Sequence, residues 1–261
     1  MSSFNIKIIK RTSFIRVTAL AAAGIFLGPA TRIRVDSRIK AVVFDAFPLF
    51  DPASLFKPVG ELFPEQAKQV IELWQLKQFS YQWLRLTGGQ YKNFWDIARD
   101  ALDFTLRQKG LYPDERRKDF IMAGYNHMHA WPDALPALEI LKKDGLKICI
   151  LSNMTAGMLQ QGIQNSALTG LFDFVISTDE NRTYKPARKA YQMAVGKLKL
   201  RKEEILFVPF AGWDLAGAKW FGFPTFWVNR INSNSENLDA EPDGIGANLD
   251  DLVSFTRAQQ R

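Results

Sequence analysis

The chain has 261 residues, of which 47% are hydrophobic and 23% are charged, a composition ordinary for a globular protein with a sizeable core. Its formal net charge is +7, but residues 1–40 hold eight basic residues and one acidic residue, so the remaining 26 basic and 26 acidic residues cancel. The larger part of the chain therefore has no net charge with which to attract DNA or RNA, which excludes a nucleic-acid partner on electrostatic grounds.

The first 30 residues have the pattern of a signal peptide. A basic start is followed by an apolar stretch over residues 17–27, and then by the small residues Gly28 and Ala30 at the positions that a signal peptidase reads. The apolar stretch is too short to span a bilayer as a stable anchor. We therefore expect an exported, periplasmic protein without a stable membrane anchor. A disordered leader or a retained interfacial helix is the alternative, and a leader that is not a signal implies a cytoplasmic protein.

Short apolar runs alternate with helix-length segments along the rest of the chain. This alternation predicts βαβ units and an α/β fold with a mainly parallel sheet covered on both faces. The expected strands are residues 39–44, 146–151, 174–177, 205–208 and 225–228, and the clearest helices are residues 156–166, 187–198 and 215–221.

The connection between the first and second strands is far longer than an ordinary crossover loop. Residues 56–135 have helical periodicity and many aromatic side chains. They predict a helical cap inserted into a core made of residues 38–55 and 136–261. The polar stretch over residues 232–248 is expected to be a surface loop before a short terminal helix.

Four polar motifs follow the predicted strands in a definite order. Asp45 ends the first apolar run, Ser152 and Asn153 end the second, Lys185 lies in the loop after the third, and Asp214 follows the fourth. In open α/β sheets, ligands bind beyond the carboxyl ends of the strands, so these side chains are expected to meet. One strand that ends in Asp is a weak signal, whereas four ordered motifs are a specific one.

This ordered set resembles the haloacid dehalogenase superfamily, and within it the type II (S)-2-haloacid dehalogenases, from about residue 38 to the C-terminus. Residues 73–85 are similar to that family's cap helix, residues 207–219 to its last catalytic loop, and residues 222–230 to the strand that follows. The resemblance implies a Rossmann-like core whose cap excludes water. It also implies hydrolysis of short-chain 2-haloalkanoic acids to 2-hydroxy acids through an aspartyl ester, with no cofactor or metal and with a possible homodimer.

The predicted catalytic residues are Asp45, Lys185 and Asp214. A carboxylate attacks a saturated carbon only if it is ionised and poorly hydrated. Asp45 would be this nucleophile, and the charge of Lys185 would keep it ionised. Asp214 would hold Lys185 and position a water.

Other side chains are expected to contact the small-molecule substrate. Ser152 and Asn153 suit its carboxylate, since they are expected at the start of a helix, where free N–H groups favour anions. The resemblance adds Tyr191 as a site tyrosine and places Gln75 where the family has the arginine that receives the halide. An apolar pocket is expected from Phe47, Phe79, Phe94 and Trp213.

Several departures from the family pattern keep other functions open. The nucleophile loop is one residue shorter and lacks Gly-Thr, Gln75 is neutral, and Pro209 and Ala211 replace two polar residues. These changes favour a non-catalytic or altered-substrate relative that binds a small carboxylate. A phosphatase is the third possibility, which Phe47 opposes because phosphatases of this superfamily carry a second Asp there.

Structural roles are the alternative for each motif. Lys185 and Asp214 could form a purely structural ion pair, and Ser152 with Asn153 could be a helix cap. The aromatic residues of the cap, including Phe79 and Phe94, could be core. The pair of histidines at 127 and 129 has no nearby Cys or acidic cluster, so a metal site is not predicted there.

Overall fold

The computed structural model describes residues 39–259. The strands are β1 (Ala41–Phe44), β2 (Phe50–Asp51), β3 (His129–Ala130), β4 (Lys147–Ser152), β5 (Phe174–Ser177), β6 (Ile205–Val208), β7 (Phe226–Val228) and β8 (Gly244–Gly246). The helices are α1 (Ala53–Leu62), α2 (Ala67–Thr87), α3 (Phe94–Gln108), α4 (Glu115–Ala123), α5 (Ala134–Lys143), α6 (Ala156–Asn165), α7 (Arg188–Leu198), α8 (Gly212–Phe221) and α9 (Leu249–Gln259).

The central sheet is parallel and has the strand order β5-β4-β1-β6. Val43 in β1 lies opposite Cys149 in β4 on one side and Phe207 in β6 on the other. A bridge from Phe207 to Thr225 continues the sheet toward β7, which pairs in parallel with β8. The predicted α/β fold with a mainly parallel sheet is confirmed.

Helices cover both faces of the sheet. Alternate side chains of each strand point to opposite faces, so each strand contributes to two cores. In β1, Val42 and Phe44 belong to a core shared with the helices before β4, whereas Ala41 and Val43 belong to a second core with α7 and α8. All four are fully buried. This continuous apolar run is typical of a parallel strand between two layers of helices.

Helices α1 to α4 lie in the long connection between β1 and α5. Trp74 of α2 is fully buried, and its Nε1 donates to the carbonyl of Ala98 in α3 at 2.8 Å, so it belongs to the core of these helices. Strands β2 and β3 pair antiparallel, with Phe50 opposite Ala130, and join the two ends of the connection. The cap boundaries at 56 and 135 stay a prediction.

Two local predictions were wrong. The expected loop over residues 232–248 contains β8, whose Gly244 packs so closely that an added Cβ would lie 2.6 Å from the Phe255 ring. Glycine has little strand propensity, so the glycine-rich sequence of β8 gives no strand signal. Helix α6 begins at Ala156 after a cap at Thr155, so the pair Ser152 and Asn153 lies before the helix rather than at its start.

The predicted signal peptide over residues 1–30 lies outside the described residues. Within residues 39–259, no helix combines the length and the apolar character that crossing a membrane requires.

Candidate active site

A cavity of about 240 Å³ lies where β1, β4 and β6 end, beneath α2 and α3. This volume is smaller than the roughly 300–1,000 Å³ of pockets for drug-sized ligands, so the cavity suits a small substrate. The predicted site residues that line it are Asp45, Phe47, Gln75, Phe79, Phe94, Ser152, Asn153, Lys185 and Trp213. Asp214 and Tyr191 lie behind this lining.

Asp45 stands at the floor of the cavity, directly after β1. Its backbone N–H donates to the carbonyl of Val208 at 3.0 Å, which ties the residue to the end of β6. Its side chain is 13% exposed, and its Oδ1 accepts from Lys185 Nζ at 2.7 Å. The carboxylate is therefore held by one oxygen, which leaves Oδ2 to face a substrate.

Lys185 is a buried cation shared by two carboxylates. Its side chain is 1% exposed, and Nζ lies 2.7 Å from Asp45 Oδ1 and 2.5 Å from Asp214 Oδ2. Burial lowers the pKa of Lys185, but the two neighbouring carboxylates outweigh burial and raise the pKa above its ordinary value. Lys185 therefore stays charged beside the Asp45 carboxylate.

Asn153 fixes the backbone of Lys185. Its Oδ1 accepts from the N–H of Lys185 at 2.7 Å and from Thr178 Oγ1 at 3.2 Å. Its Nδ2 donates to the carbonyl of Lys185 at 3.3 Å and to Gln82 Oε1 at 3.0 Å. The Asn153 side chain thus positions the lysine, and the alternative that it caps a helix is wrong because Thr155 caps α6.

Ser152 is the last residue of β4 and lines the cavity. Its Oγ accepts from the N–H of Met154 at 3.2 Å, and a hydroxyl that accepts one bond can still donate its proton. Its predicted contact with a substrate carboxylate stays a prediction.

Asp214 lies in the first turn of α8 and supports Lys185 from behind. Burial raises the pKa of Asp214 to about 6 despite the attraction of Lys185, and the negative charge of Asp45 acts in the same direction as burial. Its Oδ2 accepts from Lys185, as predicted from the sequence, and its Oδ1 accepts from Tyr191. The role predicted for Asp214 in positioning a water stays a prediction.

The structure corrects the placement of Tyr191. This side chain is fully buried and does not line the cavity, so it is not placed to contact a substrate. Its hydroxyl donates to Asp214 Oδ1 at 2.6 Å. Burial, together with the charge of Asp214, raises the pKa of Tyr191 well above its ordinary value, so the phenol stays protonated and keeps donating.

Gly217 makes this arrangement possible. A Cβ at this position of α8 would collide with the Cβ of Pro186 and with the hydroxyl of Tyr191. The missing side chain lets α8 approach both the residue after Lys185 and the tyrosine that holds Asp214.

The walls of the cavity are mainly aromatic. Phe79 of α2 and Trp213 of α8 lie with ring centroids 5.0 Å apart, so the two walls meet there. The ring centroids of Phe47 and Phe210 lie 6.0 Å apart, and both rings line the cavity with Asp45. Apolar walls of this kind limit the hydration of a carboxylate beside them.

The shortened nucleophile loop is held by two side chains that the sequence did not point to. Trp131 Nε1 donates to the carbonyl of Phe47 at 3.1 Å. Arg230 Nη2 donates to the carbonyl of Pro48 at 2.9 Å and also pairs with Asp133 at 2.9 Å. These bonds hold the backbone that carries Asp45 without the threonine that the family pattern has.

Among the further lining residues that the sequence did not indicate, three are polar: Gln78, Gln82 and Tyr125. A signal was available, because positions 75, 78, 79 and 82 follow the helical spacing and share one face of α2. The histidines at 127 and 129 are exposed and are not part of the lining.

Comparison with known proteins shows which family the chain belongs to. A family model described as haloacid dehalogenase-like hydrolase matches residues 39–222. The chain is 35% identical over 218 residues to an (S)-2-haloacid dehalogenase of Pseudomonas putida, covering 83% of this chain and 96% of the relative. It is 39% identical over 198 residues to one of Xanthobacter autotrophicus, covering 76% and 78%.

The solved structure of an L-2-haloacid dehalogenase from Xanthobacter autotrophicus, with chloropropionic acid covalently bound, superposes with a TM-score of 0.78. It is 34% identical to this chain, and the match covers 84% of this chain and 98% of that structure. The chain therefore belongs to the haloacid dehalogenase-like hydrolases and, within them, to the (S)-2-haloacid dehalogenases.

Proposed function

We propose that the protein hydrolyses short-chain (S)-2-haloalkanoic acids to 2-hydroxy acids through an ester on Asp45. The observation that carries the proposal is the contact of 2.7 Å between Lys185 Nζ and Asp45 Oδ1 at the floor of a small aromatic cavity. This contact holds one oxygen of the carboxylate in place beside a positive charge, and the aromatic walls limit the access of water.

In the first step, Asp45 Oδ2 attacks the α-carbon of the acid. A carbon–oxygen bond forms as the carbon–halogen bond breaks, and the halide leaves with the bonding electrons. Because the halide departs on the side opposite the nucleophile, the configuration at carbon inverts. Lys185 holds the carboxylate throughout and gives up no proton.

In the second step, water attacks the carbonyl carbon of the Asp45 ester. The bond between that carbon and the substrate oxygen breaks, so the 2-hydroxy acid leaves with an oxygen that came from Asp45. The carboxylate recovers an oxygen from water, and one proton is released to solvent. Hydrolysis at the acyl carbon thus regenerates the nucleophile unchanged.

The relatives support the substrate class. The matched proteins from Pseudomonas putida and Xanthobacter autotrophicus are (S)-2-haloacid dehalogenases, and the solved relative holds chloropropionic acid covalently. This chain keeps the groups that such chemistry needs, because Asp45, Lys185 and Ser152 all line the cavity.

Phosphoryl transfer has less support from the site. Phe47 occupies the position where a phosphatase of this superfamily has the acid that protonates the leaving oxygen, and an aromatic ring cannot do this.

Halide release from (S)-2-chloropropionate tests the proposal. We expect the full-length protein to release chloride in the presence of a chelator, and Asp45→Asn to release none. Asp51→Asn is the matched control, since Asp51 ends the same loop and caps the turn at Ala53. In a single turnover in heavy-oxygen water, the label should enter the Asp45 peptide rather than the product.

Chloride release that does not depend on Asp45 would overturn the ester route. A folded protein that releases no halide would support the non-catalytic or altered-substrate relative, and phosphate release with added magnesium would support the phosphatase.

We also propose export of the protein through residues 1–30 and assembly as a homodimer. Export is supported by the basic start and the apolar stretch of the leader. The dimer is supported by Leu76 and Leu84, which are 59% and 67% exposed on the outer side of α2. The mass of the N-terminus recovered from the periplasm tests export, and light scattering of the purified protein tests the dimer.

A further inference from the structure

One buried amide on the cap side of the cavity has a donor with no partner. Gln78 is 6% exposed, and it lines the cavity. Its Oε1 accepts from the hydroxyl of Tyr125 at 2.9 Å, whereas its Nε2 has no hydrogen-bond partner among the described residues. Buried polar groups are nearly always hydrogen-bonded, so an unpartnered donor beside a cavity indicates a site for an acceptor.

The amide cannot easily turn away from the cavity. Tyr125 is 2% exposed, and its ring lies edge-on to Trp74 at 5.8 Å and to Phe94 at 5.6 Å. Because the ring is packed on several sides, the hydroxyl has one position, and its donation to Oε1 leaves the Nε2 end of the Gln78 amide free.

The other glutamines on the same face of α2 are less suited to bind an acceptor deep in the cavity. Gln75 is exposed, so water competes for its amide. Gln82 is buried, but its Oε1 accepts from Asn153 Nδ2 at 3.0 Å, and this ties it to the support of Lys185.

The direction in which Asp45 displaces the halide indicates which acceptor Gln78 contacts. Asp45 attacks from the carboxyl ends of the strands, and the halide must leave in the opposite direction, toward α2 and the cap. Negative charge develops on the halogen in the transition state, so a fixed N–H on that side stabilises the transition state more than the ground state.

We propose that Gln78 donates through Nε2 to the departing halide and that Tyr125 positions it for this contact. The inference rests on the proposed function. Gln78 transfers no proton: the carbon–halogen bond breaks, the electron pair goes to the halide, and the N–H bond remains intact. A poorer leaving group needs more stabilisation as it departs, so it should depend on this hydrogen bond more than a better one.

Halide release from (S)-2-chloropropionate and (S)-2-bromopropionate by the full-length protein and its variants tests this. We expect Gln78→Met to lower kcat/KM for the chloro acid by about ten- to a hundredfold, the loss of one hydrogen bond to a charged group. The loss for the bromo acid should be smaller, so the bromo-to-chloro ratio should rise. Tyr125→Phe should move the ratio in the same direction by less.

Gln82→Met is the matched control, because it removes a buried amide one turn further along the same helix. We expect it to change KM or overall activity through Asn153 while leaving the bromo-to-chloro ratio at the wild-type value. Gln78→Glu keeps the volume and the bond from Tyr125 but replaces the donor with an oxygen. It should lower both activities further and tests the idea if the methionine variant does not fold.

An unchanged ratio in Gln78→Met or Gln78→Glu, or an equal shift in Gln82→Met, would overturn the role of Gln78 and leave the proposed function standing. Failure of the wild type to release either halide would instead overturn the proposed function, and this inference with it.

Discussion

The two sides of the cavity differ in their chemistry, because the sheet side is charged and the cap side is neutral. On the sheet side, Asp45, Lys185, Asp214 and Tyr191 form one chain of charged and hydrogen-bonded groups with contacts of 2.5–2.7 Å. On the cap side, α2 presents three neutral amides and the Phe79 ring, and one amide donor has no partner among the described residues. Under the proposed function, the sheet side supplies the nucleophile, and the cap side is expected to contact the halide that leaves.

The difference has a physical origin. Charges at the sheet side are nearly fully buried, so each needs its partners, and replacing one leaves the others uncompensated. Within residues 39–259, the lining on the cap side carries no charge, so exchanging one of its residues changes a hydrogen bond or a packing contact at lower cost. Substitutions on the two sides should therefore differ in size and in kind.

Lys185→Met should have the largest effect, because it leaves Asp45 and Asp214 as two buried carboxylates without a cation. We expect halide release to fall by at least roughly a thousandfold and the free energy of unfolding to fall by about 3–5 kcal/mol. Urea denaturation and a halide assay measure the two quantities.

Lys189→Met is the control, since Lys189 is exposed four residues further along the chain and its Nζ donates to the carbonyl of Asn181. Its free energy of unfolding should stay within about 0.5 kcal/mol of the wild type. If Lys185→Met proved as active as this control, the sheet side would be a structural ion pair and the contrast between the two sides would fail.

Tyr191→Phe should have the next largest effect, because it removes the hydrogen bond to Asp214 without touching the cavity. We expect kcat to fall by about tenfold, in line with one lost hydrogen bond to a charged group, while KM changes little. The exposed Tyr112→Phe provides the control. A rise in KM at constant kcat would restore Tyr191 as a substrate contact.

The pH profile reports the same network. Burial raises the pKa of Asp214 to about 6, so protonation as the pH falls through that value removes one of the two charges that hold Lys185. We expect kcat/KM to fall on the acid side, by about tenfold at one pH unit below the apparent pKa of the coupled cluster. A flat profile from pH 5 to pH 7 would contradict this assignment. Tyr191→Phe should move the acid limb to higher pH, since the tyrosine's hydrogen bond opposes the rise in the Asp214 pKa.

The sheet side could largely be predicted from the sequence, and its support could not. Asp45 and Lys185 were predicted because parallel strands bring their carboxyl ends to one edge. The place of Tyr191 depends on how closely α7 and α8 approach at Gly217, which is a property of tertiary packing. A match to the family motif identified the tyrosine but not the direction in which it points.

The cap side was less predictable for a similar reason. Helical periodicity groups Gln75, Gln78 and Gln82 on one face, but it does not say which of them is buried. That depends on tertiary contacts such as the one from Tyr125, which lies 47 residues from Gln78 along the chain and whose hydroxyl donates to Gln78 Oε1. The edge strand β8 was not predicted because two of its residues are glycines, which allow close packing against α9 and β7 but give no strand pattern in the sequence.

The smallest expected effect comes from a substitution that adds a charge to the cap side of the cavity. Gln75→Arg puts a guanidinium at the exposed rim of the cavity, where the family pattern has an arginine. Because solvent and salt screen a charge at that position, we expect only a several-fold rise in kcat/KM for (S)-2-chloropropionate. The gain should shrink as salt is added, and product inhibition by chloride should become stronger. Gln75→Met, which adds no charge, should show neither change. A gain as large in the methionine variant would mean that the rim acts through packing rather than through charge.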